Sequence, residues 1–176
     1  MSLPKGFVSG SVAAGLKSSG ALDLTIIHNQ GPLNFATAVF TSNKIVAAPV
    51  IWSRQVIKGG QVSAVVLNSG GANACTGPQG FADTHKTAEL VAHKLDLSSS
   101  EVVVCSTGLI GELLPMNKIE AGIGAISLDD QGFDSSAKAI MTTDSIPKRV
   151  TVTRNGITTS GIAKGAGMLA PALARS

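Results

Sequence analysis

The chain of 176 residues is long enough for one domain with a buried core, and only 14% of its residues are charged whereas 44% are hydrophobic. Its net charge of +3 is spread without basic clusters among aromatics, which argues against nucleic-acid binding, and no apolar run is long enough to span a membrane. Two cysteines and the lack of a signal pattern favour a reduced, cytoplasmic compartment, and the charge-poor surface favours a partner subunit.

The first part of the chain combines β-rich runs with one long helical stripe. Strands are predicted over 23–28, 36–41, 62–67 and 101–106, where apolar and β-branched residues cluster between turn residues. A helix is predicted over 78–95, because apolar residues recur there at helical spacing.

The second part of the chain predicts two further helices and a hairpin. Asn117 is predicted to cap a helix with three isoleucines at helical spacing, and a short helix is predicted over 135–141. Asn155-Gly156 between the β-branched runs 149–154 and 157–160 predicts a hairpin, because a type I′ turn needs positive φ at both central residues. The combination favours a mixed α/β sheet with helices packed on it.

Ser106-Thr107-Gly108 ends a predicted buried strand and enters a glycine turn. Such a strand end directs backbone N–H groups and a hydroxyl into one small volume, which suits the stabilisation of a developing oxyanion. An ordinary strand-to-loop turn explains the same three residues. Both interpretations stay open at the level of these residues.

Two other segments are candidates for binding a small anion. Lys164 is flanked by alanine and glycine, so a carboxylate can approach its ammonium group closely, although a surface loop lysine is the alternative. Thr142-Thr143-Asp144 follows the short helix, where the hydroxyls either contact a ligand or close the helix end.

Other kinds of site are not indicated. The three histidines lack metal-ligand spacing, so no metal is expected. Cys75 and Cys105 have no charged neighbour that would activate a thiol, and they are predicted to be small core residues. The stretch 165–170 matches Gly-x-Gly-x-x-Ala, but too little chain follows it for a dinucleotide-binding unit.

Five segments, several of them long and unusual, form a pattern that spans nearly the whole chain. They are Pro4–Phe7, Asn68–Gly77, Cys105–Met116, Ala139–Asp144 and Lys164–Ala174. Together and in this order they closely resemble the α-chain of the ornithine acetyltransferases, the bifunctional glutamate N-acetyltransferase family of arginine biosynthesis.

The resemblance implies a self-processing enzyme of the N-terminal-nucleophile type with the ornithine acetyltransferase fold. The family's precursor cuts itself between an alanine and a threonine, and the α and β chains stay together as an α2β2 heterotetramer. The new N-terminal threonine of the β chain is the nucleophile, and its own amine serves as the base. The enzyme transfers an acetyl group from N-acetylornithine to glutamate without a cofactor, and bifunctional members also accept acetyl-CoA as donor.

The resemblance also assigns roles to residues of this chain. Thr107 and Gly108 would form the oxyanion hole through the threonine hydroxyl and the glycine N–H. Lys164 would hold the substrate together with one of Thr142 and Thr143, with Thr143 preferred.

The resemblance implies that Ala174 is the last residue of the α-subunit, so that 1–174 form a single domain. The family motif continues from this alanine into threonine, whereas here Arg175 and Ser176 follow, as an artificial tail or a natural variation. The nucleophile is therefore not expected on this polypeptide. Arg175 also supports an alternative, a non-catalytic small-ligand-binding or assembly subunit that lacks the nucleophile.

A second departure from the family pattern is Gly71, where family members more often carry asparagine.

Overall fold

The structure is a computed structural model that describes residues 3–165 and the backbone of 173–174. In chain order the elements are β1 (Phe7–Val12), β2 (Leu24–Asn29), β3 (Phe40–Thr41), α1 (Ala48–Ile57), β4 (Ala64–Gly71), α2 (Gly77–Leu95), a 3-10 helix (Ser99–Glu101), β5 (Val102–Leu109), α3 (Met116–Ala125), α4 (Phe133–Ala139), β6 (Lys148–Arg154), β7 (Ile157–Ala163) and β8 (Leu173–Ala174). No helix within 3–165 is both long and apolar enough to cross a membrane.

A four-stranded sheet with the order β1-β2-β4-β5 forms the centre of the described chain. β1 pairs with β2 and β2 with β4 in antiparallel fashion, whereas β4 and β5 are parallel and are connected through α2. The prediction of a mixed sheet with helices packed on it is confirmed. β6 and β7 form a separate two-stranded hairpin, and β3 pairs with β8.

The alternation of side chains along β2 explains why helices pack on both faces of the sheet. Leu24 and Ile26 are fully buried in the main apolar core, which also contains Val91 of α2 and Ile119 of α3. Thr25 points to the opposite face, where its hydroxyl lies 2.8 Å from the Ser136 hydroxyl of α4. Full burial of each such aliphatic side chain contributes about 1.5–3 kcal/mol, so this core is the main stabilising feature that holds β4 and β5 in place.

Two predicted elements agree closely with the structure because their signals are local. α2 spans Gly77–Leu95, and it ends where Asp96 adopts the left-handed conformation with φ of 56°. The hairpin turn at Asn155-Gly156 has φ of 52° and 78°, as the type I′ prediction requires.

Two local predictions are wrong. The strand predicted over 36–41 is reduced to Phe40–Thr41, which pairs with the short β8. Residues 36–39 lie at the surface and form no strand, although the backbone N–H of Ala36 donates to the carbonyl oxygen of Gly60 at 3.0 Å. Asn117 does not cap α3, since the helix begins at Met116 and Pro115 is the residue before it. The carbonyl oxygen of Pro115 accepts hydrogen bonds from the backbone N–H groups of Lys118 and Ile119.

Candidate active site

The carboxyl ends of β4 and β5 lie side by side at one edge of the sheet. Because the two strands are parallel, Asn68 is opposite Ser106, Ser69 is opposite Thr107 and Gly70 is opposite Gly108. The register then shifts at Gly70 and Gly71, which form a bulge. Bulges next to strand ends redirect side chains, and this one brings the loop after β4 against the loop after β5.

Gly108 is required by this close approach. Its φ of +135° lies in a region that residues with side chains rarely adopt. A Cβ at this position would lie 2.4 Å from the carbonyl carbon of Gly70 and 2.7 Å from the backbone nitrogen of Gly71. The backbone at Gly108 is therefore held against β4 at a distance that only glycine allows.

Lys164, directly after β7, brings together residues that are far apart in the sequence. Its Nζ donates hydrogen bonds to Oγ1 of Thr107 and Oγ1 of Thr142, both at 2.8 Å. An ammonium group can only donate, so both threonine hydroxyls act as acceptors here. Each hydroxyl therefore keeps its own proton available for donation to a third group. Three of the predicted site residues thus form one hydrogen-bonded cluster.

The position of Thr142 depends on how α4 ends. The carbonyl oxygen of Ala139, the last residue of α4, accepts hydrogen bonds from the Ser69 hydroxyl at 2.5 Å and from Lys17 Nζ at 3.4 Å. These contacts fix the start of the 140–144 segment against the edge of the sheet. Desolvation lowers the pKa of Lys17, while Asp23 raises it and the positive charge of Lys164 lowers it further. Lys17 thus adds a second cation near Lys164.

A cavity of about 230 Å³ opens beside this cluster. It is lined by Leu67, Asn68, Cys105, Ser106, Thr107, Ile140 and Lys164. The wall combines apolar side chains with hydroxyl, amide and ammonium groups, which is the usual composition of a site for a small polar ligand.

Asn68 forms a polar pair with Ser106, and the sequence prediction did not single out Asn68 as a site residue. The Ser106 hydroxyl donates to Oδ1 of Asn68 at 2.5 Å, and Nδ2 of Asn68 donates to the carbonyl oxygen of Gly71 at 3.0 Å. Asn68 is only 4% exposed, so this pair fixes the bulge beside Thr107. A usable signal for Asn68 was present, since it directly follows the strand predicted over 62–67.

Gly71, where members of the resembled family more often carry asparagine, affects the packing of this loop more than its hydrogen bonding. The carbonyl oxygen of Gly71 already accepts from Asn68, whereas a Cβ at this position would lie 2.7 Å from Cδ2 of Leu114. An asparagine here would require the Leu114 side chain to move.

The prediction that Cys75 and Cys105 are core residues is wrong, because both are exposed. Val102 and Val104 of β5 point into the core, so the side-chain alternation of a strand turns Cys105 outward into the cavity. Neighbouring groups still desolvate its thiol and raise its pKa to about 11. The Cys105 thiol is therefore uncharged at physiological pH, and it lines the cavity without acting as a nucleophile.

Thr143 and Ala174 are the other predicted site residues. Thr142, not Thr143, contacts Lys164, and the Thr143 side chain is exposed. The backbone of Ala174 pairs with Phe40 in the β3–β8 ladder. Arg175, Ser176 and most of the 165–170 stretch lie outside the described residues.

Comparison with known proteins places the chain in a family. The model of the ArgJ family matches residues 8–175. The arginine biosynthesis bifunctional protein ArgJ of Streptomyces avermitilis is 58% identical over 172 residues, which cover 97% of this chain and 45% of that protein. The protein of the same name from Mycobacterium tuberculosis is 54% identical over 181 residues, again covering 97% of this chain and 45% of that protein. The chain thus spans about half the length of these curated relatives.

Solved structures agree with this result. The crystal structure of ornithine acetyltransferase from Mycobacterium tuberculosis, complexed with ornithine, matches with a TM-score of 0.93 at 54% identity and covers 97% of this chain and 94% of that chain. ArgJ of Bacillus halodurans matches with a TM-score of 0.89 at 36% identity, covering 97% of this chain and 92% of that chain. These similarities confirm the expected fold, and the chain belongs to the ArgJ family.

Proposed function

We propose that this chain is the α part of an acetyltransferase that moves an acetyl group from N-acetylornithine to glutamate in arginine biosynthesis. The observation that carries the proposal is the pair of hydrogen bonds from Lys164 to Thr107 and Thr142. This arrangement supplies a cation for a substrate carboxylate beside hydroxyl protons that can be donated to a developing oxyanion. The names of the relatives, arginine biosynthesis bifunctional protein and ornithine acetyltransferase, support the same activity.

In the proposed reaction the nucleophile comes from the β chain of the same precursor, as an N-terminal threonine. Its hydroxyl oxygen attacks the acetyl carbonyl carbon of N-acetylornithine, and its own amine takes the hydroxyl proton. The carbonyl oxygen becomes an oxyanion that accepts hydrogen bonds from the Thr107 hydroxyl and the Gly108 N–H. When the tetrahedral intermediate collapses, the C–N bond breaks and the proton leaves with the ornithine amine. The acetyl group remains on the threonine oxygen.

The second half of the proposed reaction repeats these steps with glutamate. The neutral amine of glutamate attacks the acetyl-threonine ester, the same two donors stabilise the new oxyanion, and the threonine leaves with the proton. Lys164 binds the carboxylate of whichever amino acid is present, and the hydroxyl of Thr142 donates to it. The cavity beside Lys164 has room for a small amino-acid substrate.

The proposed assembly is an α2β2 heterotetramer located in the cytoplasm. The β chain would supply both the nucleophile and the surface that covers the open side of the site. No cofactor is needed for acyl transfer of this kind, and acetyl-CoA is proposed as a second acetyl donor, as in bifunctional members of the family.

Replacing Lys164 tests the proposed site. Lys164→Ala in the complete enzyme is expected to lower kcat/KM about 10- to 100-fold, because charge-assisted hydrogen bonds contribute about 1.5–3 kcal/mol. Most of the loss should fall on KM for N-acetylornithine, since the carboxylate is bound similarly in the ground state and in the transition state.

Steady-state kinetics of acetyl transfer to glutamate would measure this effect. The matched control is Lys58→Ala, which removes an exposed lysine that follows α1 and should leave both constants unchanged. Unchanged kinetics of Lys164→Ala would remove Lys164 from the site.

A further inference from the structure

Asp144 connects the two segments that carry Lys164 and Thr142. Its side chain is only 1% exposed. Oδ1 accepts hydrogen bonds from the backbone N–H of Gly165 at 2.7 Å and from Lys148 Nζ at 2.5 Å. Oδ2 accepts from the backbone N–H of Thr142 at 3.2 Å. One carboxylate thus joins the residue that follows Lys164 to the residue whose hydroxyl Lys164 contacts.

Lys148 completes this connection. Its Nζ donates to the carbonyl oxygen of Gly165 at 2.8 Å in addition to Asp144. Both backbone polar groups of Gly165 are therefore bound by one ion pair, at a residue whose φ of +135° favours glycine. Only small residues, Ala163 and Gly165, flank Lys164, so its placement depends on this backbone anchor more than on side-chain packing.

The charge of Asp144 suits this role. The hydrogen bond from Lys148 and, next, that from the Gly165 N–H hold the pKa of Asp144 well below its ordinary value. The carboxylate is therefore ionised throughout the neutral range. Hydrogen bonds to an ionised acceptor are roughly twice as strong as those between neutral groups. Such bonds can order a segment that has little apolar packing of its own.

We infer that Asp144 is a positioning residue that determines where the Lys164 ammonium group meets the substrate. The inference rests on the proposed function, in which Lys164 binds the substrate carboxylate. Asp144 acts through the backbone on both sides of this contact, at Gly165 and at Thr142. Its loss lets Lys164 sample a wider range of positions, which weakens substrate binding and leaves Gly108 and its neighbours on β4 in place.

Asp144→Asn in the complete enzyme tests the inference. The amide offers one acceptor oxygen where the carboxylate offers two, and its NH₂ group faces other donors. We expect KM for N-acetylornithine to rise about 10-fold while kcat changes less than about 3-fold. A merely structural role would reduce the fraction of active enzyme, so that kcat would fall at unchanged KM. An unchanged KM overturns the inference.

A double variant separates this inference from the proposed function. If Asp144 acts mainly through Lys164, adding Asp144→Asn to Lys164→Ala should raise KM by less than about 3-fold, because only the smaller contribution through Thr142 remains. A further rise as large as in the single variant overturns the inference and leaves the proposed function intact. Unchanged kinetics of Lys164→Ala alone would instead count against the proposed function.

Lys148→Met keeps the test decisive if Asp144→Asn does not assemble. The Lys148 side chain is 42% exposed, so its replacement should not prevent folding. It removes one donor to Gly165 and is expected to raise KM about 3-fold, as a partial loss of the same anchor. The matched control for Asp144→Asn is Asp130→Asn, which changes an exposed carboxylate before α4 and should leave KM unchanged. An unchanged KM in Lys148→Met, or an equal rise in the control, overturns the inference.

Discussion

Thr107→Val in the complete enzyme is expected to lower kcat for acetyl transfer about 100- to 1000-fold, the usual result of removing one oxyanion donor. Valine has nearly the same shape as threonine, so the change deletes the hydroxyl with little effect on packing. The hydroxyl also accepts the hydrogen bond from Lys164 at 2.8 Å, so a smaller rise in KM should accompany the loss of kcat. Steady-state and single-turnover kinetics with N-acetylornithine and glutamate would measure both constants.

The matched control for this variant is Thr153→Val. Thr153 is also a strand threonine, its hydroxyl lies 2.9 Å from that of Thr158, and it is exposed on the β6–β7 hairpin. Its replacement should leave kcat unchanged. A kcat for Thr107→Val within about 3-fold of the parent enzyme would show that the hydroxyl does not stabilise the oxyanion, because a functional donor is worth far more.

Gly108→Ala is expected to destabilise the protein by about 3 kcal/mol and to abolish most activity. The new Cβ would lie 2.4 Å from the carbonyl carbon of Gly70, and the φ of +135° adds strain to the steric conflict. Relief of this conflict must separate β5 from β4, which would move the proposed N–H donor. Thermal unfolding of the complete enzyme, together with the acetyl-transfer assay, would measure both effects.

Gly111→Ala is the matched control for the steric part of this prediction. Gly111 has a φ of +88°, but nothing lies within 4 Å of the position its Cβ would take. Gly111→Ala should therefore cost about 1–2 kcal/mol, from the strain of the positive φ alone. Equal destabilisation by the two variants would mean that the close approach to β4 does not determine the identity of residue 108.

The parts of the fold that sequence reasoning recovered are those with local causes. The spacing of apolar residues was sufficient for α2, and the demand for positive φ was sufficient for the turn at Asn155-Gly156. β1 was missed because small residues obscure its pattern. Gly10 is required by a tertiary contact, since a Cβ there would lie 1.9 Å from the carbonyl oxygen of Ser127. That contact joins residues far apart in the chain and leaves no local signal.

In the candidate site, too, sequence reasoning recovered the residues that have a local signal and missed the features that tertiary structure determines. The Ser106-Thr107-Gly108 strand end and Lys164 were identified from composition and from the family resemblance. The choice between Thr142 and Thr143 depends on how the segment after α4 is turned, which the sequence pattern does not specify. The outward orientation of Cys105 follows from the alternation with Val104. The prediction for Cys105 was wrong because it rested on the apolar residues next to it in the sequence and not on the face of the strand to which its side chain points.

The central claim is that this chain supplies half of an acetyl-transfer site and that its β chain supplies the nucleophile. The most direct test is acetyl transfer from N-acetylornithine to glutamate by this chain alone, by the separately made β chain alone, and by the two assembled together. We predict activity only in the assembled complex. Activity of this chain alone, or an assembled complex that binds substrate without transferring the acetyl group, would contradict the claim.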